Sequence, residues 1–189
     1  YHRRFLKYLE YVQQNDLTCD GAMTDPKGDR SQPPHAQADP DLYLRAIERK
    51  PEGIVVRGAK IHQTGAVNSH EIIVMPTVAM REEDRDYAVA FATPPDAPGI
   101  TFVCQYSPFS AERELSDSIE ELGNPLFGQR ETSMVIFEDV FVPWERVFHC
   151  GEYPYSVKLV TRFARTHRMT CGGTCKVGFM NQIIGSAKL

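Results

Sequence analysis

Between Ile54 and Val142 the chain is a succession of short apolar runs cut by Pro and Gly, with no long helical pattern between them. Tyr43 to Arg49 alternates, Pro51-Glu52-Gly53 turns, and Ile54-Val55-Val56 resumes, which is a hairpin signature. His70 to Pro76 contains Ile72-Ile73-Val74-Met75 and reads as a buried strand. Tyr87 to Thr93 alternates and stops at Pro94-Pro95, and Ile100 to Cys104 begins after Pro98-Gly99. Thr132 to Val142 is the strongest run, closed by Pro143-Trp144, and Leu17 to Met23 is a short strand upstream. Strands at this spacing without helices between them predict an antiparallel sheet or barrel.

Both ends carry a different period. Phe5, Leu6, Leu9 and Val12 recur at helical spacing within Tyr1 to Asn15. After Pro154, Val157, Leu159, Val160, Phe163, Ala164 and His167 do the same. Gly172-Gly173 is expected to break that helix, with a second one from Lys176 onward. The fold class is therefore α+β: helical over 1–16, β-rich over 17–150 and helical again over 151–189. Residue 1 is Tyr in a helix already under way, and Met180 to Leu189 stops in mid-pattern. Both ends are expected to continue into further protein.

Bulk properties narrow the function classes. At 42% hydrophobic residues the chain can bury a real core, which excludes wholesale disorder. A net charge of −4, with Lys and Arg scattered, argues against nucleic acid. No window approaches the ~18 apolar residues of a membrane helix. The five cysteines are odd in number, and only Cys171 and Cys175 are close together. That is no disulfide framework, so a reducing compartment, the cytoplasm, is expected.

Four places could carry chemistry. Thr24-Asp25-Pro26-Lys27-Gly28-Asp29-Arg30-Ser31 follows a strand and offers hydroxyls, cations and a Gly to a phosphate or a ring edge. Taken alone, it is also the composition of an ordinary surface turn. His62-Gln63-Thr64-Gly65-Ala66 ends a strand with donors and acceptors, as a ligand edge or a hydrogen-bonded turn would. Glu131 precedes the strongest strand and is either an acid–base group or a solvated strand start. His167, Cys171 and Cys175 are good ligands for iron or zinc, and equally read as small buried cysteines beside a helical histidine.

Taken together, several stretches carry a resemblance: Gly21-Ala22-Met23-Thr24-Asp25-Pro26-Lys27-Gly28-Asp29-Arg30, Gly53-Ile54-Val55-Val56-Arg57-Gly58-Ala59-Lys60, His62 to Glu71, Val142-Pro143-Trp144-Glu145-Arg146-Val147 and His167-Arg168. They resemble the flavin-dependent 4-hydroxyphenylacetate 3-hydroxylase family. The Pro-Trp-Glu-Arg-Val element is shared across that family. The stretches from Met23 to Arg30 and from His62 to Glu71 look like its 4-hydroxybutyryl-CoA dehydratase branch.

The resemblance implies an acyl-CoA-dehydrogenase-like architecture. Residues 1–16 would end an N-terminal helical domain, 17–150 would form an antiparallel β-barrel that binds flavin, and 151–189 would start a C-terminal helical domain. It implies FAD held by Thr24, Asp25, Lys27, Gly28, Asp29, Arg30 and Ser31, and by Gln63, Thr64 and Gly65. It implies a four-iron–four-sulfur (4Fe-4S) cluster on three Cys and one His, of which His167 and Cys175 match two. The implied reaction is dehydration of a 4-hydroxyacyl-CoA through a radical enolate, with the cluster as Lewis acid and vinylacetyl-CoA isomerisation as a related activity. His167 or Glu131 would be the base, and Thr64 would sit near flavin N5 or the substrate. A homotetramer is implied, with neither nucleic acid nor membrane as partner. The alternative within the family is a two-component, FADH2-dependent phenol monooxygenase, which needs no cluster.

One departure stands out. The dehydratase pattern has one residue fewer between its His and its ligand Cys, and a Tyr where Cys171 stands, so Thr174 looks inserted. A second apparent insertion follows Glu131.

Overall fold

Strand β3 (Gly53–Thr64) is the spine of the fold. The computed structural model describes residues 1–104 and 132–188. Alternation in β3 buries Ile54, Val56, Gly58 and Lys60, so this face looks inward. β3 pairs antiparallel with β2 (Arg45–Arg49) across the Pro51-Glu52-Gly53 turn. Its other edge pairs antiparallel with β7 (Thr132–Pro143), and β7 pairs with β6 (Ile100–Cys104). The sheet order is β2-β3-β7-β6.

A second sheet has the order β1-β4-β5-β8, from β1 (Cys19–Ala22), β4 (Glu71–Val74), β5 (Val89–Thr93) and β8 (Val147–Cys150). The two inner faces meet in one core that includes Ala22, Ile54, Val56, Ile72, Val74, Phe91, Val135 and Phe137. Phe91 and Phe137 meet edge to face across it, with centroids 6.0 Å apart. Among the described residues these are two open sheets rather than the closed barrel expected. Nor is the pairing antiparallel throughout: β1 runs parallel to β4, from Cys19 beside Glu71 to Ala22 beside Val74. Between them the chain crosses to the other sheet and back, which supplies the long connection that parallel pairing requires.

Helix α1 (His2–Gln14) seats Phe5 and Tyr8 on Phe148 of β8, with centroids 5.4 and 5.1 Å apart. The Pro-Trp-Glu-Arg element fastens this corner. Trp144 Nε1 donates to the Lys50 carbonyl at 3.0 Å, and Arg146 Nη1 lies 2.6 Å from the buried Glu71 Oε2. Tyr8 OH donates to the same oxygen at 3.3 Å.

The C-terminal helices differ from expectation. Helix α2 (Ser156–His167) does not stop at the glycines. It passes through a π-helical turn, Arg168–Gly172, straight into α3 (Gly173–Ser186). Each glycine costs only about 1 kcal/mol in a helix, too little to break one whose turns continue on both sides. Among the described residues no helix is long and apolar enough to cross a membrane.

Candidate functional site

The loop after β1 is built largely by its own polar groups. Asp29 Oδ1 accepts from the Ser31 N–H at 2.9 Å and the Ser31 hydroxyl at 2.7 Å. These bonds hold the Asp29 carboxyl below its usual range. Buried Gln37 fills the loop's centre. It takes the Asp29 N–H at 3.0 Å and donates to the carbonyls of Asp29 and Gln32 at 2.8 and 3.0 Å. Gly28 has φ +48°, and a Cβ there would lie 2.3 Å from Gln37 Oε1 and 2.4 Å from Leu42 Cδ2. Gly28, Asp29 and Ser31 therefore shape the loop. Lys27 and Arg30 are left exposed. A cavity of about 370 Å³ opens beside them, lined also by Asp25, Gln32, Tyr43 and Thr77.

Asp25 is placed differently from its neighbours. It is 5% exposed, and its Oδ1 lies 2.6 Å from Nζ of Lys60, itself 2% exposed. Lys60 also donates to the carbonyls of Met23 (3.0 Å) and Met75 (2.8 Å). The Thr77 hydroxyl reaches Asp25 Oδ2 at 2.7 Å and also contacts the Met23 carbonyl. Burial pushes the Lys60 ammonium below its ordinary value, and the Asp25 carboxylate opposes this. Neither Lys60 nor Thr77 was singled out from the sequence. The available signal was a Lys on the inward parity of β3, which demands buried acceptors.

The second segment lies next to the first. The Ile61 N–H donates to the Thr24 carbonyl at 2.8 Å, joining the loop to β3 just before Gln63. There the β3–β7 register shifts between Lys60 and Gln63, and His62 takes a left-handed φ of 61°. The shift inverts the alternation: Lys60 faces in, His62 out, Gln63 in and Thr64 out. Gln63 is buried and donates to the Ile61 carbonyl at 2.7 Å. Thr64 is exposed, its hydroxyl 3.1 Å from that of Thr132. Among the described residues no atom lies within 4 Å of a Cβ built on Gly65, which has φ 86°.

His167 is exposed at the end of α2 and stacks on Phe163, with centroids 6.0 Å apart and planes inclined by 14°. Phe163 in turn packs against Gly21 of β1. Gly172, in the π turn, comes close to the His167 ring, with a built Cβ 3.7 Å from Nδ1. Cys175 lies in α3. Among the described residues no three His, Cys, Asp or Glu groups converge as a metal site. Glu131 lies outside the described residues. An apolar cleft of about 690 Å³ opens beside the α1–β8 contact, between α1, α2 and the face of the β1-β4-β5-β8 sheet turned away from the core. Phe5, Ile73, Met75, Phe148, Leu159 and Phe163 line it, together with Lys158 and Arg162.

The family model for the N-terminal part of 4-hydroxyphenylacetate 3-hydroxylase matches residues 1–149. The chain belongs to this family. Over its whole length it is 52% identical to the 4-hydroxybutyryl-CoA dehydratase/vinylacetyl-CoA-Delta-isomerase of Clostridium aminobutyricum, of which it covers 38%. It superposes on an oxygen-tolerant archaeal 4-hydroxybutyryl-CoA dehydratase from N. maritimus with a TM-score of 0.88 at 44% identity, covering 98% of this chain and 36% of that one. A 4-hydroxyphenylacetate 3-monooxygenase oxygenase component complexed with FAD and 4-hydroxyphenylacetate gives a TM-score of 0.70 at 31% identity, over 84% of this chain and 32% of that one. The fold alone extends to an acyl-CoA dehydrogenase from Geobacillus kaustophilus, at 19% identity and a TM-score of 0.51. This family member thus spans under two fifths of the length of the relatives it matches.

Proposed function

We propose that this chain is the flavin-holding part of an FAD-dependent enzyme that removes water from a 4-hydroxyacyl-CoA. One observation carries the choice within the family. Similarity to the dehydratase runs through the whole chain, including the helices that hold His167 and Cys175, whereas the shared family model ends at residue 149.

The two segments fit a flavin. The Thr24–Ser31 loop offers Lys27 and Arg30 to anionic groups, and the adjoining strand end offers the outward Thr64 hydroxyl beside Gly65, whose left-handed turn no described side chain crowds. A bound FAD would supply reversible electron exchange with the acyl thioester. The Thr64 hydroxyl would orient the ring edge or the substrate carbonyl by hydrogen bonding. The large cleft suits an acyl chain along its apolar wall, with Lys158 and Arg162 available to the phosphates of CoA.

His167 and Cys175 suit the imidazole and thiolate positions of a 4Fe-4S cluster, with the remaining ligands drawn from other segments. The cluster would act as a Lewis acid on the departing hydroxyl. A π turn holds one residue more than an α turn, which offsets the additional residue between His167 and Cys175. Imidazole has two ring nitrogens, so ligation through one leaves the other to hold a proton. His167 or Glu131 is the base that takes the proton next to the thioester carbonyl. The exposed apolar residues of α3, among them Val177, Phe179 and Ile183, suit packing within a homotetramer.

The test is flavin, iron and acid-labile sulfide analysis of the full-length protein purified without oxygen. FAD together with iron and sulfide is expected. FAD without iron, in a protein that hydroxylates phenols when given reduced flavin, would replace this reading with the monooxygenase one.

A further inference from the structure

We infer that Lys60 is a positioning residue of the flavin site, setting the separation between the Thr24–Ser31 loop and the Gln63–Gly65 strand end. The inference rests on the flavin reading above.

Lys60 sits where the two segments join. Its ammonium binds Asp25 and the Met23 carbonyl on the loop side, and the Met75 carbonyl at the exit of β4. Three residues further on, the same strand ends in Gln63 and Thr64. One side chain therefore ties the loop to β4 while its own backbone carries the second segment. Thr77 doubles the tie through Asp25 and Met23.

An ion pair this buried is a poor way to gain stability alone, because desolvating two charges offsets most of their attraction. Apolar residues of similar volume would fill the same space. What the pair provides is a fixed point, since three acceptors around one ammonium admit one geometry. Asp25, expected from the resemblance as a direct flavin ligand, has both carboxylate oxygens engaged in this anchor. Its part in flavin binding would be indirect.

The experiment uses the full-length protein stripped of flavin and compares FAD dissociation constants with thermal midpoints. Lys60→Met orphans Asp25 and is expected to lower both. The double variant Lys60→Met/Asp25→Leu removes the orphaned charge. Its midpoint is expected to recover while FAD affinity stays about tenfold or more weaker, the size found when the group supporting a metal ligand is lost. Val56→Ala, in the core of β3, is the control: a lower midpoint with wild-type FAD affinity. If Lys60→Met does not fold, Thr77→Val loosens the same anchor without burying a charge, and a several-fold weaker FAD affinity is expected. Folded double and Thr77 variants with wild-type FAD affinity would overturn the positioning role. A wild-type protein that takes up no FAD would overturn it too, by removing the flavin reading on which it rests.

Discussion

The imidazole of His167 lies nearly parallel to the ring of Phe163, and Phe163 packs against Gly21 on β1. β1 leads directly into the Thr24–Ser31 loop. The histidine is thus referenced to the same strand as the loop, through one aromatic ring.

This contact makes a first prediction. Phe163→Ala removes a half-buried ring and should cost about 2 kcal/mol, below the value for a fully buried Phe. Amide hydrogen exchange should quicken across Ser156–His167 and stay unchanged in β3. At Gly21 a Cβ would meet the Phe163 ring at 3.5 Å, an ordinary contact, so Gly21→Ala should leave exchange in α2 unchanged. Gly21→Leu should reproduce the Phe163→Ala exchange pattern.

Gly28 gives a second. Gly28→Ala meets a left-handed φ and two side-chain atoms inside 2.5 Å. The backbone conformation alone costs a non-glycine residue roughly 1–2 kcal/mol, and displacing Gln37 breaks the bonds that close the loop. Urea unfolding should show a loss of about 2 kcal/mol or more, accompanied by weaker FAD binding in the full-length protein.

A third prediction concerns Asp20. Its Oδ2 is buried with no hydrogen-bond partner among the described residues. Burial, opposed by the Gly21 N–H, pushes its pKa up to about 6 from 3.8. The folded state therefore favours the protonated form. Ionisation destabilises the fold as pH rises from about 4, and the penalty is complete above about 6. Asp20→Asn should raise the thermal midpoint at pH 7 and leave it unchanged near pH 3.5. Solvent screening of a half-buried group holds the gain to roughly 1 kcal/mol. An equal gain at both pH values would contradict an unpaired carboxylate as its source.

What the sequence made legible followed from local chemistry. The β2–β3 hairpin lay in Pro51-Glu52-Gly53 between alternating runs, and the helix at His2–Gln14 in the spacing of Phe5, Leu9 and Val12. β8 was missed because its four residues follow Pro143-Trp144 after a single 3₁₀ turn, which reads as a strand's end rather than a strand's start. The parallel β1–β4 pairing depends on a route through the other sheet, which no local pattern records. At the site, the resemblance marked which stretches matter but not how they divide the work. Asp25 and Gly28 stood beside Lys27 and Arg30 in one motif, yet Asp25 turns inward and Gly28 backs onto Gln37 with no room for a side chain, while the cations face solvent. That division follows from Gln37, a few residues downstream, and from Lys60, 35 residues from Asp25, both bonded to the loop through buried side chains.

The most direct test of the account is anaerobic turnover of 4-hydroxybutyryl-CoA by the full-length protein, followed by mass spectrometry of the thioester. The account predicts a product lighter by one water, formed by FAD-replete protein and lost when the flavin is removed. Unchanged thioester from FAD-replete protein that instead adds an oxygen atom to a phenol, given reduced flavin and air, would contradict it.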